Sequence, residues 1–310
     1  MFGLSIAADF VLPGMAPVDH GPTDVTIRLG TRQDVEAAWA AREPATAWRS
    51  LFGDGQVFSG QRAADGSWRL AYGQDALFFV SADADTVLCG PEDPQDPAWQ
   101  RVLLDAVLMV ASVAAGFEVL HAGAVGTSAG VVAVAAESGG GKSSLVAELM
   151  RRGHPLFCDD ILVLDRGPDG VRSHPGPPVM NVPVSPEHFP IAEIGSVLAT
   201  FGDEAWIAVR HVARRPRPLA AVCLLERGPD TTTQVQHLQA SPLHLRPHVR
   251  PLRVPVERDR ARFELLADLA ETVPVYRVCV GSEMPPPGVA DIVEGVLETR
   301  SRRDTRVAIP

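Results

Sequence analysis

A short stretch near the middle of the chain constrains the fold more than any other feature. The strand-like run VVAVAA ends at Ala136, the turn ESGGGK covers 137–142, and SSLVAELMRR follows with the apolar stripe of an amphipathic helix. Three consecutive glycines let backbone N–H groups converge on one point, and a helix N-terminus presents further donors to an anion. The order of strand, loop and helix therefore predicts an α/β fold with a phosphate-binding loop of the Walker A type.

The use of lysine supports this interpretation. Lysine and arginine together number 28, and Lys142 is the single lysine among them, so 27 are arginine. A lysine ammonium is a compact charge on a flexible stem, whereas a guanidinium is a broad planar fork. A glycine-rich loop around phosphates has room for the first and not for the second. We therefore expect Lys142 to reach the β- and γ-phosphates of ATP.

The expected ligands are ATP and Mg²⁺, with the hydroxyl of Ser143 binding the metal. The predicted nucleotide-binding residues are Ser138, Gly139, Gly140, Gly141, Lys142, Ser143 and Ser144. One position departs from the pattern, since Ala136 stands where the full motif begins with glycine. An alanine restricts the backbone there, which makes the motif imperfect.

An acidic pair follows the predicted helix. Asp159 and Asp160 come 17 and 18 residues after Lys142, at the end of an apolar stretch. One carboxylate can hold Mg²⁺, directly or through water, while the other accepts a proton from an attacking hydroxyl. Adjacent residues on a strand point to opposite sides, so both can serve only if the backbone turns there. His121 lies 21 residues before Lys142 and, from the residues alone, is either structural or part of the site.

Composition excludes several classes of protein. The net charge of −10 argues against nucleic-acid binding and against a hold on anionic lipid. Four cysteines form no CxxC pair, which indicates neither a zinc site nor a disulfide scaffold. Apolar runs are too short to cross a membrane, and the N-terminus lacks the pattern of a signal peptide. A cytoplasmic protein is expected.

The pattern divides the chain into a β-rich N-terminal region at 1–96, an α/β domain at 97–300 and a tail at 301–310. In the first region we expect a strand at Val25–Leu29 and a hairpin of Ala76–Ser81 with Thr86–Cys89, followed by a polar linker at Gly90–Pro97. Beyond it the periodicity predicts helices at Ala98–Gly116, Ser143–Arg152, Arg258–Thr272 and Val289–Thr299, and strands at Val119–Val125, Val131–Ala136, Leu156–Cys158, Ile161–Leu164, Pro218–Leu225 and Val273–Val280.

His121, ESGGGKSS and RRGHPLFCDD together resemble the kinase core of the HPr kinase/phosphorylase family, closely over 121–160. Looser similarity extends to about residue 300 with HPr-kinase-like proteins and the kinases of lasso-peptide gene clusters. The resemblance implies a P-loop fold related to phosphoenolpyruvate carboxykinase and phosphorylation of a serine hydroxyl. It makes Asp159 the general base, Asp160 a metal-associated acid and His121 an active-site histidine. Hexamers occur in the family, which leaves room for a homo-oligomer.

One family signature is missing. The segment His174–Pro186 contains neither an acid nor an arginine, whereas the HPr enzymes have Glu-x-Arg-Gly-Leu-Gly in the later part of their active site. Its absence argues against phosphorolysis and against HPr as the acceptor.

Two basic stretches complete the candidates. The first stretch covers residues 210–217, and in it Arg210 and Arg214 are expected to stabilise the transferring phosphoryl group. The alternative interpretation is a basic loop that is only solvated. In the second, His244–Arg262 carries six arginines that could bind an acidic peptide. Pro247 makes a helix and a metal site of His244 and His248 improbable.

These features favour an ATP- and Mg²⁺-dependent serine kinase acting on a peptide or small protein, of which a lasso-type precursor peptide is one example. Two alternatives stay open at this point. One is a kinase of free serine or another metabolite, and the other is a nucleotide-binding regulatory scaffold that transfers no phosphate.

Overall fold

The structure is a computed structural model that describes residues 1–16, 21–51, 55–167, 170–184, 191–229, 233–249 and 256–307. Within these ranges the chain forms sheets of seven, nine and three strands, with helices between them. The expected α/β class with a β-rich N-terminal region is confirmed.

The N-terminal region is a seven-stranded sheet with the order β1-β2-β7-β6-β5-β4-β3. Its strands are β1 (Ile6–Ala8), β2 (Val25–Leu29), β3 (Pro44–Leu51), β4 (Val57–Ala63), β5 (Trp68–Tyr72), β6 (Ala76–Val80) and β7 (Thr86–Pro91). The predicted hairpin is confirmed as the antiparallel pair β6 and β7. Because β7 reaches Pro91, the start of the predicted linker at Gly90 is wrong.

A helix that the sequence analysis did not predict covers one face of this sheet. Helix α1 (Arg32–Trp39) begins with a capping box in which Thr31 and Asp34 bond each other's backbone N–H groups. Val35 and Trp39 of α1 pack against Leu77, Phe79 and Ala63 of the sheet. The apolar stripe is narrow, which explains why periodicity alone did not reveal it.

The other face of the sheet packs on the predicted helix after residue 97. This helix has three parts, α2 (Ala98–Val102), a π-turn (Leu103–Val107) and α3 (Leu108–Ala114). Its apolar side chains share one core with Phe58, Trp68 and Phe78 of the N-terminal sheet and with Val119 and Val163 of the next sheet. The N-terminal sheet is thereby joined to the rest of the molecule through buried contacts.

The nine-stranded sheet carries the predicted loop. Its strands are β8 (Glu118–His121), β9 (Gly123–Thr127), β10 (Gly130–Ala136), β11 (Leu156–Cys158), β12 (Ile161–Gly167), β13 (Gly170–His174), β17 (Arg217–Gly228), β18 (Gln234–His237) and β19 (Val275–Gly281). Strands β10, β17 and β19 are parallel neighbours. Helices α4 (Lys142–Arg151) and α7 (Pro286–Val307) pack on one face of them, and α6 (Val256–Thr272) packs on the other.

A small antiparallel sheet lies beside this layer. It contains β14 (Val179–Pro183), β15 (Gly195–Phe201) and β16 (Glu204–Val209), in the order β14-β16-β15, and the short helix α5 (Ile191–Ile194) precedes β15. At the end of the chain α7 runs to Val307, so the predicted boundary at residue 300 falls inside a helix. In the described residues, no helix has the length and apolar character needed to span a membrane.

Candidate active site

The glycine loop lies between β10 and α4, as the sequence predicts. Gly139 and Gly141 have φ angles of 76° and 89°, a region that side chains with a Cβ rarely adopt. Gly140 is tight for a different reason, since a Cβ there would lie 3.0 Å from the Cβ of Ala136 and 3.0 Å from the carbonyl oxygen of Glu137. Backbone conformation thus requires glycine at 139 and 141, close packing favours it at 140, and the first part of the loop is exposed to solvent.

The departure at Ala136 has a structural explanation. Its side chain is buried in the core between β10, α4 and α7, and Ala136 pairs with Leu225 on β17. The methyl group occupies space that the missing Cβ of Gly140 leaves free. Alanine is thus accommodated at this position because glycine stands at 140.

The start of α4 offers unused backbone donors. Gly141 is the N-cap residue and carries no side chain that could cap the helix, and the N–H of Leu145 is the one that bonds back to the Gly141 carbonyl, at 2.9 Å. In the first turn of any α-helix the N–H groups lack intrahelical acceptors, here those of Lys142, Ser143 and Ser144. They point out of the helix N-terminus together with its positive dipole end, which suits an anion.

Lys142 contacts the acidic pair. The residue is 7% exposed, its Nζ forms an ion pair with Asp160, and its Nζ also donates to the carbonyl oxygen of Asp159 at 3.4 Å. Burial alone would lower the pKa of this ammonium, but the charges of Asp160 and Asp159 outweigh burial, so the pKa is raised. Lys142 is therefore a fixed positive charge at the junction of the loop and the acidic pair.

The backbone turns at the acidic pair, as both carboxylates require. Asp159 and Asp160 form a bend between β11 and β12. The neighbouring Gly123 makes this turn possible, because a Cβ there would come within 2.6 Å of the Asp159 carbonyl oxygen and 2.8 Å of Val146. The two adjacent side chains can therefore serve one site.

The two oxygens of the Asp159 carboxyl group are in different situations. Oδ2 accepts a hydrogen bond of 2.8 Å from the backbone N–H of Asn181, whereas the buried Oδ1 has no partner among the described residues. Burial raises the pKa of Asp159 to about 7, and repulsion from Asp160 acts in the same direction. A carboxyl group with that pKa and a vacant oxygen is suited to take up and release a proton near neutral pH.

His121 lies beside Asp160 at the point where the predicted strand Val119–Val125 breaks into two. Strand β8 pairs with β12, whereas β9 pairs with β10 and β11, and the N–H of Ala122 between them donates to the Asp160 carbonyl oxygen at 3.2 Å. Nδ1 of His121 is 3.2 Å from the same oxygen and 3.9 Å from Oδ1 of Asp160. The side chain of His121 and the backbone N–H of its neighbour Ala122 thus both contact Asp160 of the acidic pair.

The structure gives hydrogen bonds for one of the two predicted arginines. Arg210 is exposed and donates to the carbonyl oxygens of Ala192 and, at 3.1 Å, of Gly195, which ties it to α5 and the start of β15. The segment that follows pairs with Leu156 at the edge of β11 and leads to the exposed Arg214. The contacts seen for Arg210 are structural, and a catalytic role for Arg210 or Arg214 stays a prediction.

Two arginines of the second basic stretch bond a carboxylate within the protein. Arg258 and Arg262 of α6 both bond the buried carboxylate of Glu118 on β8, each at 2.8 Å. Residues 250–255 of this basic stretch lie outside the described part of the chain. An acidic peptide could not use Arg258 and Arg262 without breaking these pairs.

The sequence analysis missed Arg227, at the end of β17. Its Nε donates to the carbonyl oxygen of Gly140 at 3.2 Å, and its Nη1 donates to the carbonyl oxygens of Gly281, Ser282 and Met284 at 3.3, 3.0 and 2.9 Å. The guanidinium therefore joins the glycine loop to the turn after β19. The sequence offered one signal for Arg227. It is a charged residue at the end of the apolar run AAVCLLER, which forms a strand parallel to the strand before the glycine loop.

A cleft opens beside the acidic pair. Its lining comes from α2 and the π-turn, from β14 and β16, and from the acidic turn, and it includes Arg101, Asp105, Asn181 and Trp206. The negative charge of Asp105 also contributes to the raised pKa of Asp159. None of these four residues was a sequence candidate.

The residues present fit a nucleotide with Mg²⁺. The open glycine loop, the free donors of α4 and the Lys142 ammonium form a cradle for phosphate oxygens. No cluster of three or more His, Cys, Asp or Glu side chains suited to hold a metal occurs in the described residues. The hydroxyl of Ser143 and the carboxylate of Asp160 are oxygen ligands of the kind that Mg²⁺ prefers, and phosphate and water would complete its shell.

No family model matches the sequence, and none of the curated proteins matches it either. Among solved structures the chain is similar to the Hpr(Ser) kinase/phosphatase from Coxiella burnetii, with 13% identity and a TM-score of 0.33. That similarity covers 61% of this chain and 99% of the other. A similarity at this TM-score does not establish an activity.

Proposed function

We propose that the protein is a kinase that uses MgATP to phosphorylate a serine hydroxyl of a peptide or small protein. The observation that carries the proposal is the meeting of Lys142 and Asp159 at the glycine loop. The lysine contacts the backbone of a residue whose carboxyl group is buried, has a vacant oxygen and has a pKa of about 7. An anchor for phosphate beside a proton acceptor is the arrangement that transfer to an alcohol needs.

Each group has a role in that reaction. The loop N–H groups and Lys142 hold the β- and γ-phosphates, and Asp159 in its ionised form accepts the hydroxyl proton on Oδ1. The bond from the serine oxygen to the γ-phosphorus forms while the bond from that phosphorus to the oxygen bridging to the β-phosphate breaks. Ser143 and Asp160 would hold Mg²⁺, which supplies neutralisation of phosphate charge.

Choice of the acceptor rests on the sequence resemblance. It points to a serine, with a lasso-type precursor peptide as the first acceptor to test, and the missing family signature argues against HPr. His121 contributes by holding the Asp160 carbonyl oxygen, as its 3.2 Å contact indicates. A cytoplasmic location completes the proposal because MgATP is abundant there.

The test is intact-mass spectrometry after incubation with MgATP and a panel of a lasso-type precursor peptide, HPr and free serine. Asp159→Asn keeps the shape of the side chain and removes the base, so we expect transfer to fall by about 10²- to 10⁴-fold. Binding of a non-hydrolysable ATP analogue should persist. Asp268→Asn, which loses a surface ion pair with Arg166, is the matched control and should retain full activity.

Each outcome separates the candidates. Addition of one phosphate to a peptide, lost in Asp159→Asn, supports the proposal, and turnover of free serine alone indicates a metabolite kinase. Undiminished transfer by Asp159→Asn would refute the role of this residue. Tight MgATP binding without transfer to any acceptor would favour the regulatory scaffold.

A further inference from the structure

The cleft beside the acidic pair reaches Asp159 from a direction that the glycine loop does not line. Its walls come from α2 and the π-turn, from β14 and from β16, together with the acidic turn itself. A nucleotide held by the loop and a molecule in the cleft would therefore approach Asp159 from different sides. The polar atoms of the cleft walls determine what kind of molecule can bind there.

Three polar atoms of the cleft-lining residues are buried and have no partner among the described residues. They are Oδ1 of Asp159, Oδ1 of Asn181 and Nη1 of Arg101. Buried polar atoms in folded proteins are nearly always paired, so an unpaired one calls for a partner from outside the chain. Asp159 is 8% exposed and is the most buried of the three residues.

The residues that carry these atoms are held in place. The backbone N–H of Asn181 donates to the second oxygen of Asp159 at 2.8 Å, and Asn181 pairs with Trp206 in the small sheet. Arg101 forms an ion pair with Glu204, and its guanidinium lies 4.8 Å from the ring centre of Phe201. The Asp159 carboxyl group and the Arg101 guanidinium are thus held through their other atoms, and Asn181 is held through its backbone.

The three atoms differ in what they can bind. Ionised Asp159 accepts a hydroxyl proton, the Asn181 oxygen accepts from an N–H group, and the Arg101 nitrogen donates to an oxygen. An alcohol with an N–H group on one side and a carbonyl or carboxylate oxygen on the other offers a hydrogen-bond partner to each of the three atoms. A β-hydroxy amino acid unit has this chemistry, either as a seryl residue within a peptide or as free serine.

We infer that this cleft is the acceptor site and that Asn181 and Arg101 are specificity-determining residues that bind the seryl unit on either side of its hydroxyl. The inference rests on the proposed function and deepens it by placing the acceptor. Asp105 and Asp160 add negative charge to the walls, so acceptors with acidic residues next to the serine are disfavoured.

The first experiment measures binding, without turnover. Saturation-transfer NMR, in the presence of a non-hydrolysable ATP analogue, is recorded with acetyl-Ala-Ser-Ala-amide, with its Ala-Ala-Ala counterpart and with free L-serine. We expect a seryl signal with the wild type and its loss in Asn181→Ala, which keeps the backbone N–H to Asp159. Thr200→Ala, on an exposed position of the same small sheet, is the control and should retain the signal.

The second experiment separates acceptor binding from nucleotide binding. For the best acceptor, Asn181→Ala and Arg101→Lys should raise the acceptor KM about tenfold or more and leave the ATP KM unchanged. Arg101→Lys preserves a positive charge for Glu204 and removes the Nη1 donor. A preference for the peptide over free serine, or the reverse, identifies the source of the seryl unit.

Two results would overturn the inference. One is the absence of any seryl-dependent signal with the wild type, and the other is an unchanged acceptor KM in both variants while Asp159→Asn abolishes transfer. In the second case the proposed function survives and the site of the acceptor is wrong. A seryl signal that is lost in Asn181→Ala, in a protein without transferase activity, would support the cleft and refute the kinase.

Discussion

At the scale of single residues, Asp159 shows how one carboxyl group can be both held and reactive. Its Oδ2 is fixed by the Asn181 N–H at 2.8 Å, whereas its Oδ1 stays without a partner among the described residues. Burial disfavours the charge, and the nearby ammonium of Lys142 limits that effect. The balance leaves a proton acceptor whose pKa is about 7.

This balance predicts the dependence of the reaction on pH. In the proposed reaction Asp159 must be ionised to accept the hydroxyl proton, so kcat/KM for the acceptor should rise about tenfold per pH unit below pH 7 and level off above it. The measurement is a rate profile from pH 5 to 9. A profile that is flat through pH 7, or one that falls as the pH rises, would contradict the role of Asp159 as the base.

Sequence reasoning located some of these residues and missed others for a physical reason. Lys142 and the acidic pair belong to one consecutive unit of strand, helix and strand, and their spacing predicted that they lie close together. The ion pair of Lys142 with Asp160 agrees with that prediction. Arg101 and Asn181 come from elements with no motif of their own. They reach the cleft only through the packing of separate layers, and local pattern does not encode such packing.

At the scale of elements, the site depends on interruptions in regular structure. The π-turn at Leu103–Val107 holds Asp105 in the wall of the cleft, and the break at Ala122 separates β8 from β9. Periodicity correctly predicted a buried helix from Ala98. The π-turn adds one residue to the helical repeat, and the hydrophobic pattern does not predict such an insertion. Such insertions occur often at functional sites.

Arg227 gives a prediction at this scale because it links three elements. Replacing it in Arg227→Met keeps an unbranched side chain and removes the donors to Gly140 and to the turn after β19. The glycine loop should become less ordered, and the Kd for ATP should rise about tenfold, which corresponds to ~1.4 kcal/mol.

Calorimetric titration with ATP and hydrogen exchange of the loop amides measure the effect of Arg227→Met. Arg277→Met, on the adjacent strand β19, loses only a surface bond to Glu226 and serves as the control. Equal loop protection in both variants would show that Arg227 does not organise the loop.

At the scale of the whole molecule, the N-terminal sheet and the α/β layers share a core. Trp99 of α2 is buried, packs at 5.2 Å from the ring of Phe10, and belongs to the same cluster as Trp68 and Val163. The predicted boundary near residue 96 separates sequence patterns, but apolar contacts continue across it. Two parts that share a core of this kind are expected to unfold together.

Trp99→Ala tests this expectation. Removing a buried indole should lower the free energy of unfolding by about 3–5 kcal/mol, because the cavity collapses only in part. Differential scanning calorimetry and circular dichroism should show one transition that moves to lower temperature as a whole. Leu77→Ala, in the separate cluster beneath α1, should lower the same transition. If two transitions were seen, and the temperature of one of them did not change in one of the variants, the two parts would unfold independently.

The position of the single lysine side chain has a practical consequence. An endoproteinase that cuts after lysine has one site in this sequence, between Lys142 and Ser143, where α4 begins and the ammonium is buried against Asp160. Digestion can yield only two fragments, and it requires the loop to open. The rate at which the chain is cut in two therefore measures how often the glycine loop and the first turn of α4 open, with no label attached.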